Sequence, residues 1–563
     1  MDFNHYFSNE EIDEILHDWE ASYPGLVKLT QIGSSHEGRP IWLLVLTNQE
    51  TGKANEKPGM WIDGNIHATE LTGSTATLYL AYQLINGYTQ QEHAKHTQIT
   101  RILDYYTLYI VPRVNPDGAA WALSSNPRFV RSGIRPYPWQ EKDEGLHDQD
   151  INNDGRILQM RIPDPNGDWK ISSLDPRLME KRGIDETGGT YYRLFTEGLL
   201  EGYDGYIIKE ARSLQGLDFN RNFPFEWKPE NEQHGAGPFP GSEPETRALI
   251  DTLVNTLNVN IVLTFHTFSR VLLRPFSTRG DDTMDQNDLW VFKKMGELGT
   301  AITGYRNVST FHDFTANPKE VTYGAFDDWM YDYLGAFSFT VELWDLPTEA
   351  GIKDRKFIEW WRDHPHEQDV QILKWTDEHG EPDSYLPWQS FKHPQLGTVE
   401  IGGWNTLYTW RNPPHAYAEA EVSRHQDWVL SLCETLPRLV IHTLEVTSIG
   451  NDTYRINLVV ENTGYLPTYT SKQGQKRRCV RPVRVDLFVP EDSSEIINGK
   501  HHQELGHLEG RSNKTSLNAT YAGSPTDNRA RIEWIIKAPK DTKINIKIQS
   551  ERAGSLRRDI NLP

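Results

Sequence analysis

Cysteine and positive charge are scarce in this chain. Its 563 residues include two cysteines, Cys433 and Cys479, which lie far apart and beside no histidine cluster. We expect two free thiols, with one disulfide between them as the alternative, and no zinc site built from cysteines. Lys and Arg number 58 against 79 Asp and Glu, which gives a formal net charge of -21. An acidic surface repels phosphate backbones, so we expect no nucleic-acid partner.

Long apolar runs are also missing. The sequence contains no stretch of about 18 apolar residues, the length that a membrane span requires. Its first residues, MDFNHYFSNEEIDEILHDW, lack the basic segment and the apolar segment of a signal peptide. We therefore expect no membrane association and a cytoplasmic protein as given, or a secreted or periplasmic one if a leader was removed. The sequence does not predict an oligomeric state.

Strand-like and helix-like segments alternate over residues 1–437. Residues 40–47 and 59–63 are apolar runs typical of strands, residues 73–86 indicate a helix, and residues 107–118 indicate a buried strand that ends in a turn. This order predicts an α/β sheet with a site at the ends of its strands. Since one core rarely exceeds about 250–300 residues, we expect a second domain as well.

Two segments depart from this alternation. Residues 133–213 are rich in Pro, Gly, Asp and Arg and show little periodicity, which indicates an insertion of structured loops beside the site. After Pro437 the chain changes to short alternating strands separated by Gly, Asn and Pro turns. This pattern predicts an accessory all-β sandwich domain over residues 438–563.

A histidine and a glutamate follow the predicted strand at 59–63. His67 and Glu70 are three residues apart, and His266 ends the apolar run VNIVLTFH. Side chains at the ends of neighbouring strands can meet around one ion and leave a fourth position for water. His-x-x-Glu alone is a weak signal, because chance matches are common.

Four further motifs follow in order along the chain and make the signal specific. They are GLDFNRNFP (216–224), GSEPETRAL (241–249), TFHTFSRVLLRPF (264–276) and FDDWMYDYLGAFSFTVELW (326–344). Together with His67 and Glu70 they resemble the zinc carboxypeptidases of the pancreatic carboxypeptidase A and B family, over roughly residues 5–435. The resemblance implies a zinc carboxypeptidase-like α/β fold, with a mixed central sheet and helices on both faces.

The resemblance also implies a metal site and a general base. His67, Glu70 and His266 match the family's ligands for one zinc ion. Asp218 matches the carboxylate that orients the first histidine through its other ring nitrogen. Glu342 matches the glutamate that takes a proton from the attacking water and passes it to the leaving amine.

Other matched positions are expected to bind the substrate. Arg131 matches the arginine that polarises the scissile carbonyl. Asn220 and Arg221 match the pair that grips the terminal carboxylate. Asp327 matches the floor of the pocket for the last side chain, where an acidic residue favours terminal Lys or Arg.

One position departs from the family. Its members carry a mobile Tyr over the substrate, and ungapped alignment puts Glu320 there, with Tyr323 three residues later. Either a local change of the loop brings Tyr323 into that role, or no Tyr covers the substrate.

The insertion contains a second metal-like pattern. Alternating oxygen-bearing side chains before Gly155 look like the start of a calcium-binding loop, although Arg161 stands where an acidic residue should close it. An Asx-rich turn is the alternative. The candidate calcium ligands are Asp148, Asp150, Asn152 and Asp154.

These observations predict a zinc metallocarboxypeptidase whose partner is a peptide with a free C-terminal carboxylate. Two alternatives stay open. One is a related zinc amidohydrolase that acts on peptidoglycan or γ-glutamyl peptides, because residues 133–213 could enlarge the pocket wall. The other is a catalytically silent metal-binding protein, against which Glu342 and Arg131 both argue.

Overall fold

A computed structural model describes residues 1–315, 317, 319–353, 355–512 and 523–563. Its helices begin with α1, whose N-cap Ser8 and Glu11 form a capping box. The helices are α1 (Asn9–Ser22), α2 (Thr72–Thr89), α3 (His96–Tyr105), α4 (Pro116–Ala122), α5 (Pro244–Asn255), α6 (Gln286–Thr303), α7 (Phe326–Leu334), α8 (Leu346–Glu349), α9 (Phe357–Arg362), α10 (His366–His379), α11 (His415–Ser423), α12 (Gln426–Cys433) and α13 (Lys472–Arg477).

The strands of the described residues form five sheets. In chain order they are β1 (Val27–Ser34), β2 (Pro40–Leu46), β3 (Gly59–Gly64), β4 (Thr107–Val111), β5 (Gly145–Asp148), β6 (Gln159–Pro163), β7 (Trp169–Ile171), β8 (Met179–Lys181), β9 (Tyr192–Thr196), β10 (Gly198–Glu201), β11 (Val259–Thr267), β12 (Val271–Arg274), β13 (Arg306–Ser309), β14 (Phe337–Leu343), β15 (Tyr385–His393), β16 (Gly397–Trp404), β17 (Leu439–Gly450), β18 (Thr453–Asn462), β19 (Val483–Phe488), β20 (Glu495–Asn498), β21 (His502–Gly506), β22 (Arg529–Lys537), β23 (Lys543–Ser550) and β24 (Gly554–Asn561).

The central sheet has eight strands in the order β1-β2-β4-β3-β11-β14-β12-β13. The β4–β3, β3–β11 and β11–β14 pairs are parallel, whereas β1–β2, β2–β4 and β12–β14 are antiparallel. Strands β3 and β11 are buried along their whole length, as expected for parallel strands covered on both faces. The predicted mixed α/β sheet is therefore confirmed, and the adjacent parallel strands β3, β11 and β14 end at one edge.

The insertion differs from the predicted loops. Strands β6 to β9 lie in a six-stranded sheet, order β15-β16-β6-β9-β7-β8, and β5 pairs with β10. Strands β15 and β16 come from residues 385–404, far along the chain. Leu158 and Met160 pack with Val399 and Ile401 in a separate small core, so this sheet forms only when both segments meet.

The C-terminal strands form two four-stranded sheets, β17-β18-β22-β20 and β21-β19-β23-β24. One apolar core joins strands of both sheets, including Ile456, Trp534 and Ile546, which confirms the predicted additional β region. The boundary between residues 437 and 438 stays a prediction.

This β region contacts the α/β region at α6. The buried Asp288 carboxylate accepts the backbone N–H groups of Lys472 at 2.8 Å and Gln473 at 2.9 Å. Cys433 and Cys479 are both free thiols. Among the described residues, no helix combines the length and the apolar composition needed to cross a membrane.

Candidate metal centre and active site

Three side chains converge at the edge where β3 and β11 end. His67 and Glu70 lie between β3 and α2, and His266 lies near the end of β11. The Glu70 Oε2 atom is 3.0 Å from His67 Nδ1 and 3.1 Å from His266 Nδ1, and the two Nδ1 atoms are 3.0 Å apart. All three residues are buried. The predicted ligands therefore meet around one point.

This donor set fits a zinc ion. Ligand atoms about 2.0–2.2 Å from a tetrahedral ion lie roughly 3.3–3.6 Å apart, so a slight widening of the observed triangle admits the ion. Two imidazole nitrogens that face each other and the same carboxylate oxygen also match the nitrogen and oxygen ligands that zinc prefers. Within the described ranges, His67, Glu70 and His266 are the one group of such residues with this geometry.

Asp218 orients His67. Its Oδ1 atom lies 3.2 Å from His67 Nε2, and the same oxygen accepts the backbone N–H of Asn220 at 2.8 Å. A hydrogen bond donated by Nε2–H leaves the Nδ1 lone pair toward the other ligands. Although burial alone raises the pKa of Asp218, the charges of Arg221 and Arg131 and the contact with His67 hold that pKa well below its ordinary value.

Glu342 lies beside the three ligands on β14. In the parallel β11–β14 ladder it is the register partner of His266. Burial, aided by the Glu70 carboxylate, raises the pKa of Glu342 to about 7, although the charges of His266, Arg131 and Arg411 oppose the shift. A carboxylate held next to the ligand group can take up a proton there.

Two arginines border the same carboxylates. Arg131 donates from Nη1 to Glu70 Oε1 at 3.0 Å and from Nε to Asp218 Oδ2 at 3.1 Å, and its side chain is 43% exposed. The Arg411 Nη1 atom lies 3.8 Å from Glu70 Oε1. The sequence analysis did not identify Arg411, because the residues around it match no motif of a catalytic or metal site. The neighbouring Trp410 is the one local feature of the sequence that could have indicated a binding site there.

Asn220 and Arg221 lie on the short helical turn Phe219–Arg221, next to Asp218. The Asn220 Oδ1 atom accepts the backbone N–H of Phe326 at 2.8 Å, which leaves the amide NH2 to donate. The Arg221 Nη2 atom lies 3.7 Å from Asp218 Oδ2, and the Arg221 side chain is 21% exposed. Asp218, which contacts the metal ligand His67, therefore lies between Arg221 and the ligands.

Asp327 is buried at the start of α7. Its Oδ2 atom accepts the Thr340 hydroxyl at 3.1 Å, and Thr340 lies two residues before Glu342 on β14. Burial raises the pKa of Asp327, and burial together with the Asp327 charge raises that of Asp328 well above its ordinary value.

Tyr323 lies against another part of the chain. Its backbone N–H donates to Gln233 Oε1 at 2.9 Å, and Lys228 Nζ lies 5.6 Å from its ring centroid. These contacts hold it beside residues 228–233 and do not join it to the metal ligands. Glu320 is exposed.

The four candidate calcium ligands are not brought together as an ion site. Asp150 accepts the backbone N–H groups of Asp154 at 3.3 Å and Gly155 at 2.8 Å, and Asn152 Oδ1 accepts that of Asp154 at 2.9 Å. Asp148 belongs to β5. Arg161, at the end of the pattern, donates to Glu400 at 2.9 Å. The alternative of an Asx-rich turn accounts for these contacts, and none of them supports calcium.

Comparison with known proteins matches this arrangement. The family model described as zinc carboxypeptidase matches residues 12–173 and 194–363. A second model, described as a domain of unknown function, matches residues 438–561. Arg411 lies outside both matches.

Several relatives resemble the chain over the same region. Carboxypeptidase B2 of Rattus norvegicus is 22% identical, covering 63% of this chain and 67% of its own. Carboxypeptidase B of Astacus astacus is 24% identical, covering 61% and 88%. The crystal structure of thrombin activatable fibrinolysis inhibitor (TAFI) has 19% identity, covers 77% of this chain and 74% of its own, and has a TM-score of 0.43. The chain belongs to the zinc carboxypeptidase family, a family of zinc-dependent hydrolases of peptide bonds.

Proposed function

We propose that this protein is a metallocarboxypeptidase that releases the C-terminal residue of peptides with a free terminal carboxylate. The observation that carries the proposal is a row of alternating charges beside the metal ligands. Arg221 lies 3.7 Å from Asp218, Asp218 lies 3.1 Å from Arg131, and Arg131 lies 3.0 Å from Glu70. Only the Asp218 carboxylate therefore separates Arg221, which can bind a terminal carboxylate, from Arg131, which can bind the scissile carbonyl.

The proposed reaction divides between the metal centre and the side chains around it. His67, Glu70 and His266 would hold a zinc ion, which would act as a Lewis acid and lower the pKa of a water molecule. Glu342 takes the proton of the attacking water and delivers it to the leaving amine. The Arg131 guanidinium donates hydrogen bonds to the carbonyl oxygen as negative charge develops on it.

Recognition of the substrate end falls to Asn220 and Arg221. A guanidinium and a carboxylate pair through two parallel hydrogen bonds, and this planar match selects a free C-terminus. Asp327, buried two residues before Trp329 on the same helix, gives an anionic floor for the last side chain. We propose that this carboxylate favours terminal Arg or Lys.

A panel of matched peptides that end in Arg, Lys, Phe or Glu tests this function. We expect release of the last residue from the free acids, with Arg and Lys about 10-fold or more ahead of Phe, since a desolvated charge pair contributes about 1.5 kcal/mol or more. Muropeptides and γ-glutamyl peptides belong in the same panel. Turnover of these alone would contradict the proposal and favour the amidohydrolase alternative.

Replacing Arg221 with Ala should impair recognition of the terminal carboxylate. Loss of a charge-assisted pair costs about 1.5–3 kcal/mol, so we expect kcat/KM for the free acids to fall about 10- to 100-fold. We expect the parent protein to cleave the matched C-terminal amides poorly, and the variant to show little further loss of kcat/KM for them.

The control for this variant is Arg558→Ala, which removes an exposed arginine of the β region and should leave both rates unchanged. If Arg221→Ala lowers the rates for acids and amides by the same factor, Arg221 does not recognise the carboxylate.

A further inference from the structure

Arg411 brings a second guanidinium to the metal centre from outside the family match. It ends the helical turn Leu407–Arg411. Its Nη1 atom lies 3.8 Å from Glu70 Oε1, which exceeds hydrogen-bonding distance. No side-chain hydrogen bond of Arg411 occurs within the described ranges, and its side chain is 38% exposed. Its N–H donors are therefore open to a ligand.

The order of the charged side chains beside the metal ligands indicates on which side of the site Arg411 lies. The row runs from Arg221 through Asp218, Arg131 and Glu70 to Arg411. Arg131 stands in the middle, and Arg221 and Arg411 stand at opposite ends. If Arg221 binds the terminal carboxylate and Arg131 the scissile carbonyl, Arg411 borders the residues before the scissile bond.

Aromatic rings continue this side of the site away from the ligands. The Arg411 guanidinium lies 5.7 Å from the Phe268 ring centroid. The Trp361 centroid is 5.5 Å from that of Phe268 and 5.6 Å from that of Trp410. Trp361 is 41% exposed, so the group Phe268, Trp361 and Trp410 presents apolar surface next to an open cation.

We propose that Arg411 and these three rings form a subsite for the part of a peptide that precedes the scissile bond. Arg411 donates to the carbonyl oxygen of the peptide bond next to the scissile one, and the rings bind a large apolar side chain on the antepenultimate residue. The proposal rests on the proposed function and adds a substrate class to it: peptides with an aromatic or large aliphatic residue two positions before the C-terminal one.

The test compares acetylated tripeptides X-Gly-Arg, where X is Trp, Leu or Gly, with the dipeptide Gly-Arg. The dipeptide has a free amino end, so it lacks the carbonyl that Arg411 would bind. We expect Arg411→Ala to lower kcat/KM for the tripeptides about 10- to 100-fold, the value of one charge-assisted hydrogen bond, and to change the dipeptide rate less than about 3-fold. Arg411→Lys, which keeps a cationic donor, should recover part of the loss.

Trp361→Ala tests the rings. Parent protein should cleave the peptide with X = Trp about 10-fold faster than that with X = Gly, and the variant should lose this preference with little change for X = Gly. Arg558→Ala and Trp290→Ala are the controls, because both remove an exposed side chain of the same type away from the subsite. The zinc content of every variant, measured by mass spectrometry, should equal that of the parent.

The outcomes separate this subsite from the function on which it rests. A contrary result is that Arg411→Ala lowers kcat/KM equally for the tripeptides and the dipeptide, or for neither. If Arg221→Ala has at the same time lost carboxylate recognition, either result would overturn the subsite alone. If parent protein cleaves none of the free acids, the proposed carboxypeptidase activity and the subsite both fail.

Discussion

Glu342→Gln should lower kcat about 1,000- to 100,000-fold while zinc stays bound. A side-chain amide keeps the shape of the carboxylate but cannot accept the proton of the attacking water, and general-base contributions of about 100- to 10,000-fold combine with the lost proton delivery to the amine. The ligands His67, Glu70 and His266 are untouched, and Glu342 forms none of the close contacts within their group. Steady-state kinetics with the best peptide of the panel, alongside zinc analysis, gives both quantities.

The matched control for this variant is Glu504→Gln, which makes the same chemical change at an exposed position of β21. We expect it to keep kcat within about 3-fold, since exposed substitutions away from specific contacts have small effects. A Glu342→Gln protein that turns over at the parent rate would mean that another group accepts the proton.

His266→Ala should remove both zinc and activity. The three ligand atoms lie within 3.1 Å of one another, so each supplies a third of the protein's ligand set. A site with two protein ligands binds zinc weakly, and we expect zinc content to fall from about one ion per chain to roughly a tenth of that after dialysis against a weak chelator. The rate of peptide release should fall in proportion to the zinc content.

His442→Ala is the control for ligand loss, because His442 is exposed on β17. It should retain the parent zinc content and rate. Restoring zinc to the parent protein after chelation should restore activity, whereas the His266→Ala protein should recover little. Full activity of the metal-depleted parent would contradict a role for zinc in the reaction.

The sequence predicts that His67, Glu70 and His266 converge, because their positions follow from strand order. His67 follows β3 and His266 ends β11, and adjacent parallel strands end at the same edge of a sheet. Helix α1 can also be predicted from the sequence, because Ser8 and Glu11 have capping-box spacing. The structure forms both hydrogen bonds of this capping box. Local spacing and burial pattern decide these features, so the sequence alone carries them.

Contacts between segments that are distant along the chain could not be predicted from local spacing and burial pattern. Strand β6 is short, and its neighbour β16 lies more than two hundred residues further along the chain. Residues 133–213 therefore lack the alternation of a sheet that is complete in itself. Arg411 was missed for a similar reason, because its contact with Glu70 joins segments more than three hundred residues apart.

The calcium pattern is a local signal to which the structure adds no support. Asp150, Asn152 and Asp154 have the spacing of a calcium loop, but backbone N–H groups within the turn take up their oxygens. Glu197 also accepts the backbone N–H groups of Ile151 and Leu158. These hydrogen bonds stabilise the turn without an ion.

The most direct test is anomalous X-ray diffraction from crystals of the parent protein, recorded on both sides of the zinc absorption edge. We expect one strong zinc peak within about 2.0–2.2 Å of His67 Nδ1, His266 Nδ1 and the Glu70 carboxylate, with Glu342 beside it. A map without zinc at this point, from protein that cleaves peptides, would contradict the account.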